Sequence, residues 1–151
     1  MAEPGTTPLS PEERALWHAL KTLGDDACQA VGRDITARTN LSGADFAILS
    51  RLEDLGDGRL AQRDLLASLG WDKSRLSHQL RRMEERGLIA RGTDSGTACA
   101  ASTQTGSEAL ATARPIHAAA IRERALRHVS PEERAALIAV AERIAQATRD
   151  G

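Results

Sequence analysis

The chain has 151 residues, 27% of them charged and 41% hydrophobic, and a formal net charge of −1. That is enough apolar material for one core or a tightly joined pair of domains, and with so small a net charge any basic surface must be placed locally rather than spread. No apolar run approaches the roughly 20 residues that a bilayer crossing needs and no signal peptide precedes the first helix, so a soluble, cytoplasmic protein without a membrane partner is expected.

Residues 1–9, with Pro4, Gly5 and Pro8, read as a disordered lead-in. Ser10-Pro11-Glu12-Glu13-Arg14-Ala15 then recurs as Ser130-Pro131-Glu132-Glu133-Arg134-Ala135, each copy placing Ser at a cap, Pro in the first helical position and acid in the first turn. The first copy opens a helix over about residues 11–39, with a bend expected at Gly24 or Gly32 and with Leu16, Leu20, Leu23, Ala27, Ala30, Val31 and Ile35 on its apolar side. Ser42 caps a second helix to about Leu55, Gly56-Asp57-Gly58 breaks the chain, and a short helix follows over about residues 61–69, ending at Gly70.

Residues 71–91 carry the densest information. Asp72 is placed to accept from the free amides of a first turn, and Gly87 ends the helix. At about 100° per residue, Leu76, Leu80 and Met83 share one arc, whereas Ser74, Arg75, His78, Arg81 and Arg82 project from the other side with Ser77 and Gln79 on the flanks. Four permanent cations and no acid lie between Lys73 and Arg82. Such a face can neutralise phosphates and offer donors to base edges in a major groove. Two short helices joined by a tight glycine-containing turn, the second one basic, make a helix-turn-helix; Gln62 and Arg63 on the first of the pair are further candidate contacts. Trp71 reads as packing that anchors the second helix.

Beyond Gly87, residues 88–91 and 97–103 read as the two strands of a small hairpin wing around the turn formers Gly92-Thr93-Asp94-Ser95-Gly96. A long helix follows from Gln104 or Thr105 to about Val129, with Pro115 expected to kink it, and a last one spans residues 131–149 with Leu137, Ile138, Val140, Ala141, Ile144 and Ala145 on its apolar side. The fold class is therefore mainly α: a winged helix-turn-helix over residues 41–104, flanked by an all-helical dimerisation region from residues 10–40 and 105–150. The three terminal helices have more apolar surface than one small winged domain can cover, so they should pair with a second copy.

The stretch from about Leu41 to Gly106 resembles the winged helix-turn-helix of the MarR (multiple antibiotic resistance regulator) family of bacterial transcription factors. The resemblance rests on residues 70–84, on Arg86-Gly87-Leu88-Ile89, and on Thr103 with Gly106, which resemble the family's Leu-Thr-x-x-Gly start of the helix after the wing. It implies a two-fold dimer presenting two recognition helices to an inverted-repeat double-stranded DNA operator, commonly as a repressor, with small aromatic or phenolic effectors binding between the dimer helices and the reader. Trp17, His18 and His117 are the weak candidates for that pocket. The family's wing usually carries Asp-x-Arg. Here the matching residues are Asp94-Ser95-Gly96, so the minor-groove arginine is missing, and Arg91 at the base of the wing is left as a phosphate contact.

Two alternatives remain open on the sequence. One is a winged-helix dimer with degenerate DNA binding that acts as a protein-interaction module. The other is a regulator sensing redox state through Cys28 or Cys99, the latter on a wing strand where it could be exposed. The cysteines and His18, His78, His117 and His128 fall at no metal-ligand spacing, so neither a metal nor another cofactor is expected. No phosphate-binding glycine loop, Gly-x-Ser-x-Gly or Cys/His pairing supports an enzyme.

Overall fold

A computed structural model describes residues 7–149; the lead-in expected over residues 1–9 and the chain end at Asp150 lie largely outside them. Six helices and three strands follow in the order α1 (Pro11–Arg38), α2 (Gly43–Gly56), β1 (Arg59–Ala61), α3 (Gln62–Leu69), α4 (Lys73–Glu85), β2 (Ile89–Asp94), β3 (Thr97–Ser102), α5 (Gln104–Arg124) and α6 (Pro131–Arg149), with a 3-10 turn at Leu126–His128 before α6.

The repeated hexapeptide starts helices at both ends through the same local chemistry. The Ser10 hydroxyl accepts from the Glu13 amide at 3.1 Å while the Ser10 amide donates to the Glu13 carboxylate at 2.7 Å, and Ser130 and Glu133 repeat the exchange at 3.2 and 2.8 Å. This satisfies two otherwise orphaned donors at each start. Helix α1 continues through Gly24 and Gly32 without a break, and α5 runs through Pro115 but stops at Arg124, short of the expected Val129.

Around α4 lies a core of Ile48, Leu49 and Leu52 from α2, Leu65 from α3, Leu76, Leu80 and Met83 from α4 itself, Leu88, Ile89 and Ala100 from the wing, and Leu110 and Ala113 from α5. At about 1.5–3 kcal/mol for each large aliphatic side chain removed from water, this burial is what holds α4 in a fixed pose. Gly106 sits where α5 passes closest to the wing: a methyl there would overlap the Leu88 carbonyl oxygen, while the Thr103 hydroxyl donates to the Gly87 carbonyl at 2.6 Å and accepts from the Gly106 amide at 3.1 Å.

The expected two-stranded wing is a three-stranded antiparallel sheet in the order β1-β3-β2. Arg59 pairs with Ala101, Leu60 with Ala100 and Ala61 with Cys99, so β3 is the central strand. Three residues are too few to show an alternating pattern. Their ladder exists because Gly58 and β3 are brought together by the fold, with the Ser102 amide donating to the Gly58 carbonyl at 2.8 Å. The alanines of β3, weak strand formers by themselves, suit a strand covered on one face, where Ala100 is fully buried.

By contrast, α6 buries none of its residues against the rest of the chain. Leu16, Trp17, Leu20 and Leu23 of α1, and Leu137, Ile138 and Ile144 of α6, are all exposed by 40% or more. No helix among the described residues is long and apolar enough to cross a membrane.

Candidate nucleic-acid interface

Helix α4 is defined at both ends by local hydrogen bonds. Gly70 ends α3 in the left-handed region at φ 64°, which turns the chain, and the Asp72 carboxylate then accepts from the Arg75 amide at 2.8 Å. At the other end the Leu88 amide donates to the Met83 carbonyl and the Gly87 amide to the Glu84 carbonyl, both at 2.9 Å, with Gly87 at φ 73°. This double closure is the Schellman arrangement, and it requires the left-handed residue that glycine supplies.

Between these ends Leu76, Leu80 and Met83 are buried, and Lys73, Ser74, Arg75, Ser77, His78, Arg81 and Arg82 are exposed together on the opposite side. Arg81 lies 3.3 Å from His78 Nδ1, and Arg75 Cζ lies 4.0 Å from the centroid of the Trp71 ring. Trp71 itself is half-buried against the core, so its ring is both anchor and platform. On α3, Arg63 is exposed with only a loose 3.8 Å pairing to Asp64, and Gln62 is half-buried.

One expected groove-facing residue is not on that face. Gln79 is only 4% exposed and points at α2, where its Nε2 donates to Asp45 Oδ1 at 2.6 Å. The flank position read from the helical wheel is corrected by what lies opposite it: Asp45, with no exposed surface, also accepts from Arg86 at 2.7 Å and from the Ser42 amide at 2.8 Å. The cluster extends outward, since Arg82 donates to Gln79 Oε1 and Arg86 to the Asn40 carbonyl. A buried carboxylate needs such donors. The sequence offered no signal for Asp45, and for Arg86 none beyond its place in the block Arg86-Gly87-Leu88-Ile89.

A family model described as the MarR family matches residues 39–98, from the end of α1 to the start of β3. Over those residues the winged helix of this chain is similar to that of the MarR family. Among solved structures it is similar to AbsC, a MarR family transcriptional regulator from Streptomyces coelicolor, at 27% identity and TM-score 0.83 over 97% of this chain and 100% of that one. It is also similar to Sco3205, a MarR family transcriptional regulator of the same organism solved in complex with DNA, at 24% identity and TM-score 0.83 over 96% and 91% of the two chains. A third structure concerns regulation of DNA binding of Bordetella bronchiseptica BpsR by 6-hydroxynicotinic acid, at 21% identity and TM-score 0.73 over 93% and 99%. No curated protein matches the chain.

In this winged-helix domain the wing is closed by the two-residue turn Ser95-Gly96, both residues at positive φ (48° and 82°), as the primed hairpin turns require. No arginine stands at the tip. Arg91, at the wing's base, donates through Nε and a terminal nitrogen to Glu84 at 2.9 and 2.6 Å, and its amide donates to the same carboxylate at 3.0 Å. These Arg91 bonds hold the Glu84 carboxyl below the usual carboxylate range. Arg91 is thus engaged within the protein, where the sequence left it as a phosphate contact.

Cys99, read from the sequence as lying on a wing strand where it could be exposed, is buried at 4% exposure because β1 covers its strand, and Arg59 donates to its sulfur at 3.0 Å. Cys28 is exposed on α1. His117 stacks on Phe46 with centroids 4.1 Å apart, and burial, helped by Arg114, pushes its imidazole below the ordinary histidine value. Trp17 and His18 are exposed on the outer half of α1, and the chain does not bring them to His117. Asp34, the α1 residue paired with Arg124 of α5, lies about 25 Å further along that helix at 1.5 Å per residue. Among the described residues no group of three metal-ligating side chains occurs.

Proposed function

We propose that the protein is a sequence-specific double-stranded-DNA-binding transcriptional regulator, a repressor, that acts as a homodimer on an inverted-repeat operator and is released by a small aromatic or phenolic ligand. The observation that carries this reading is the exposed, acid-free face from Lys73 to Arg82, held outward by a helix whose other side is fully buried. The likeness to AbsC and to the DNA-bound Sco3205 supports it.

Dimerisation is supported by the stripes at helical spacing on α1 (Leu16, Leu20, Leu23) and α6 (Leu137, Ile144), which a protomer leaves in water. A two-fold pair would offer two copies of α4 about one helical turn of DNA apart. Effector release would use the open groove between residues 37–41 and Thr105, Glu108, Ala109 and Thr112 of α5. The groove borders Asn40, whose carbonyl is held by Arg86 and so connects to the Asp45 cluster behind the recognition helix. A ligand that favoured one arrangement of this junction would shift the pose of α4. Trp17 and His18 would reach such a ligand only from the second copy.

Selection of duplexes from a random library by the full chain, followed by affinity measurements across a salt series, tests the reading. A regulator enriches an inverted repeat, binds it with nanomolar-range affinity and loses affinity steeply as salt rises. Equal, weak binding to every duplex would replace this reading with the protein-interaction module. Light scattering on the same sample should give twice the chain mass.

A further inference from the structure

Arg75 differs from every other arginine around α4. Arg82 donates to Gln79, Arg86 to Asp45 and Arg91 to Glu84, whereas the Arg75 side chain forms no hydrogen bond or ion pair among the described residues. It is held instead through its flat face, over the Trp71 ring. A guanidinium held that way keeps all its N–H donors, which point outward in its own plane, for another acceptor.

The location adds to this. Arg75 is the third residue after the Asp72 cap, in the first turn of the recognition helix, and it is the N-terminal part of such a helix that meets base edges when a helix-turn-helix docks. Its platform is fixed by the fold, because Trp71 packs against the core between the end of α3 and the start of α4. The stack therefore limits the rotamers of a long side chain before binding, and less freedom is lost on docking.

A planar fork of donors in a fixed orientation matches the O6 and N7 acceptors that guanine alone presents together in the major groove. We propose that Trp71 and Arg75 form a guanine-reading unit, with Arg75 as the contact and Trp71 as the positioning residue, selecting one guanine in each half-site. This deepens the DNA-binding reading above and rests on it. The sparse wing makes the unit more important: with no arginine at the Ser95-Gly96 tip, base selection falls on α4.

The test uses the duplex enriched by the full chain, with each guanine of one half-site replaced in turn by 7-deazaguanine, which lacks N7. One position should weaken wild-type binding about fivefold or more. That sensitivity should fall in Arg75→Lys, whose single ammonium lacks the planar fork, and vanish in Arg75→Ala, both substitutions at an exposed position. It should also fall in Trp71→Phe and further in Trp71→Leu, with melting curves confirming that both variants are folded. Retained sensitivity in Trp71→Leu, or an Arg75→Ala variant that still discriminates the modified guanine, overturns the proposal. So does an Arg75→Ala variant that weakens all sequences equally, because Arg75 would then be a phosphate contact. Failure of the library to enrich any sequence would instead sink the DNA-reader reading, and this unit with it.

Discussion

Replacing Asp45 by alanine removes the acceptor at the centre of the only polar cluster behind the recognition helix that the described residues contain. The carboxylate is fully buried and accepts from Gln79, Arg86 and the Ser42 amide at 2.6–2.8 Å. Three losses follow, of unequal size. The Gln79 amide, 4% exposed, is left without its partner, which costs about 1–3 kcal/mol. The capping box at the start of α2 loses its reciprocal half, a cost of about 1 kcal/mol. Arg86 contributes least, because its side chain is 44% exposed and can return to water. The expected sum is about 2–4 kcal/mol, which for a chain of this size lowers Tm by about 5–15 °C. Thermal unfolding at fixed protein concentration measures it, with Arg114→Ala as the control. Arg114 pairs with Glu53 and Asp54 at 3.1 and 2.7 Å on an exposed surface, and its removal should leave Tm nearly unchanged. Because Gln79 and Asp45 act as a pair, Gln79→Ala added to Asp45→Ala should cost much less than Gln79→Ala alone. Equal Tm values for wild type and Asp45→Ala, or strictly additive single changes, would refute the view that this carboxylate holds α4 to α2.

Other outcomes follow from the same geometry. Gly106→Ala should destabilise the fold by several degrees in Tm, since the new methyl meets the backbone carbonyl of Leu88 and neither α5 nor the wing can shift freely; an unchanged Tm would mean that the junction is looser than it looks. His117 titrates below the ordinary value of 6.5 in the folded protein because it is buried against Phe46, so the unfolded chain takes up the proton first as pH falls. Stability should accordingly be retained above about pH 6.5 and decline below it until the folded form protonates as well, and His117→Phe, which keeps a ring on Phe46, should flatten that part of the Tm-against-pH curve. Glu84→Ala should free Arg91 and remove an acid beside the basic face, raising affinity for random-sequence duplex in a low-salt anisotropy titration; a decrease would show that the pair positions the wing instead.

The sequence by itself determined whatever is settled within a turn or two of the chain. Ser10, Ser42, Asp72 and Ser130 cap helices because a side-chain oxygen three residues before a free amide suffices, and Gly70 and Gly87 end them because only a left-handed residue closes the turn there. The 3.6-residue period likewise separates Leu76, Leu80 and Met83 from Lys73, Arg75, Arg81 and Arg82 without reference to the rest of the protein.

Tertiary structure decided the positions whose partner lies far along the chain. Gln79 lies at the edge of the apolar arc, where periodicity assigns neither side, and it turns inward because Asp45, 34 residues earlier, waits there as an acceptor. β1 is a strand because β3, 40 residues later, offers it a ladder, and the same pairing takes Cys99 out of solvent. Which cations stay free for a ligand is also a tertiary outcome. Arg75 and Arg91 are both candidate contacts in the sequence, and only the ring that the fold places beneath the first and the carboxylate it brings to the second set them apart.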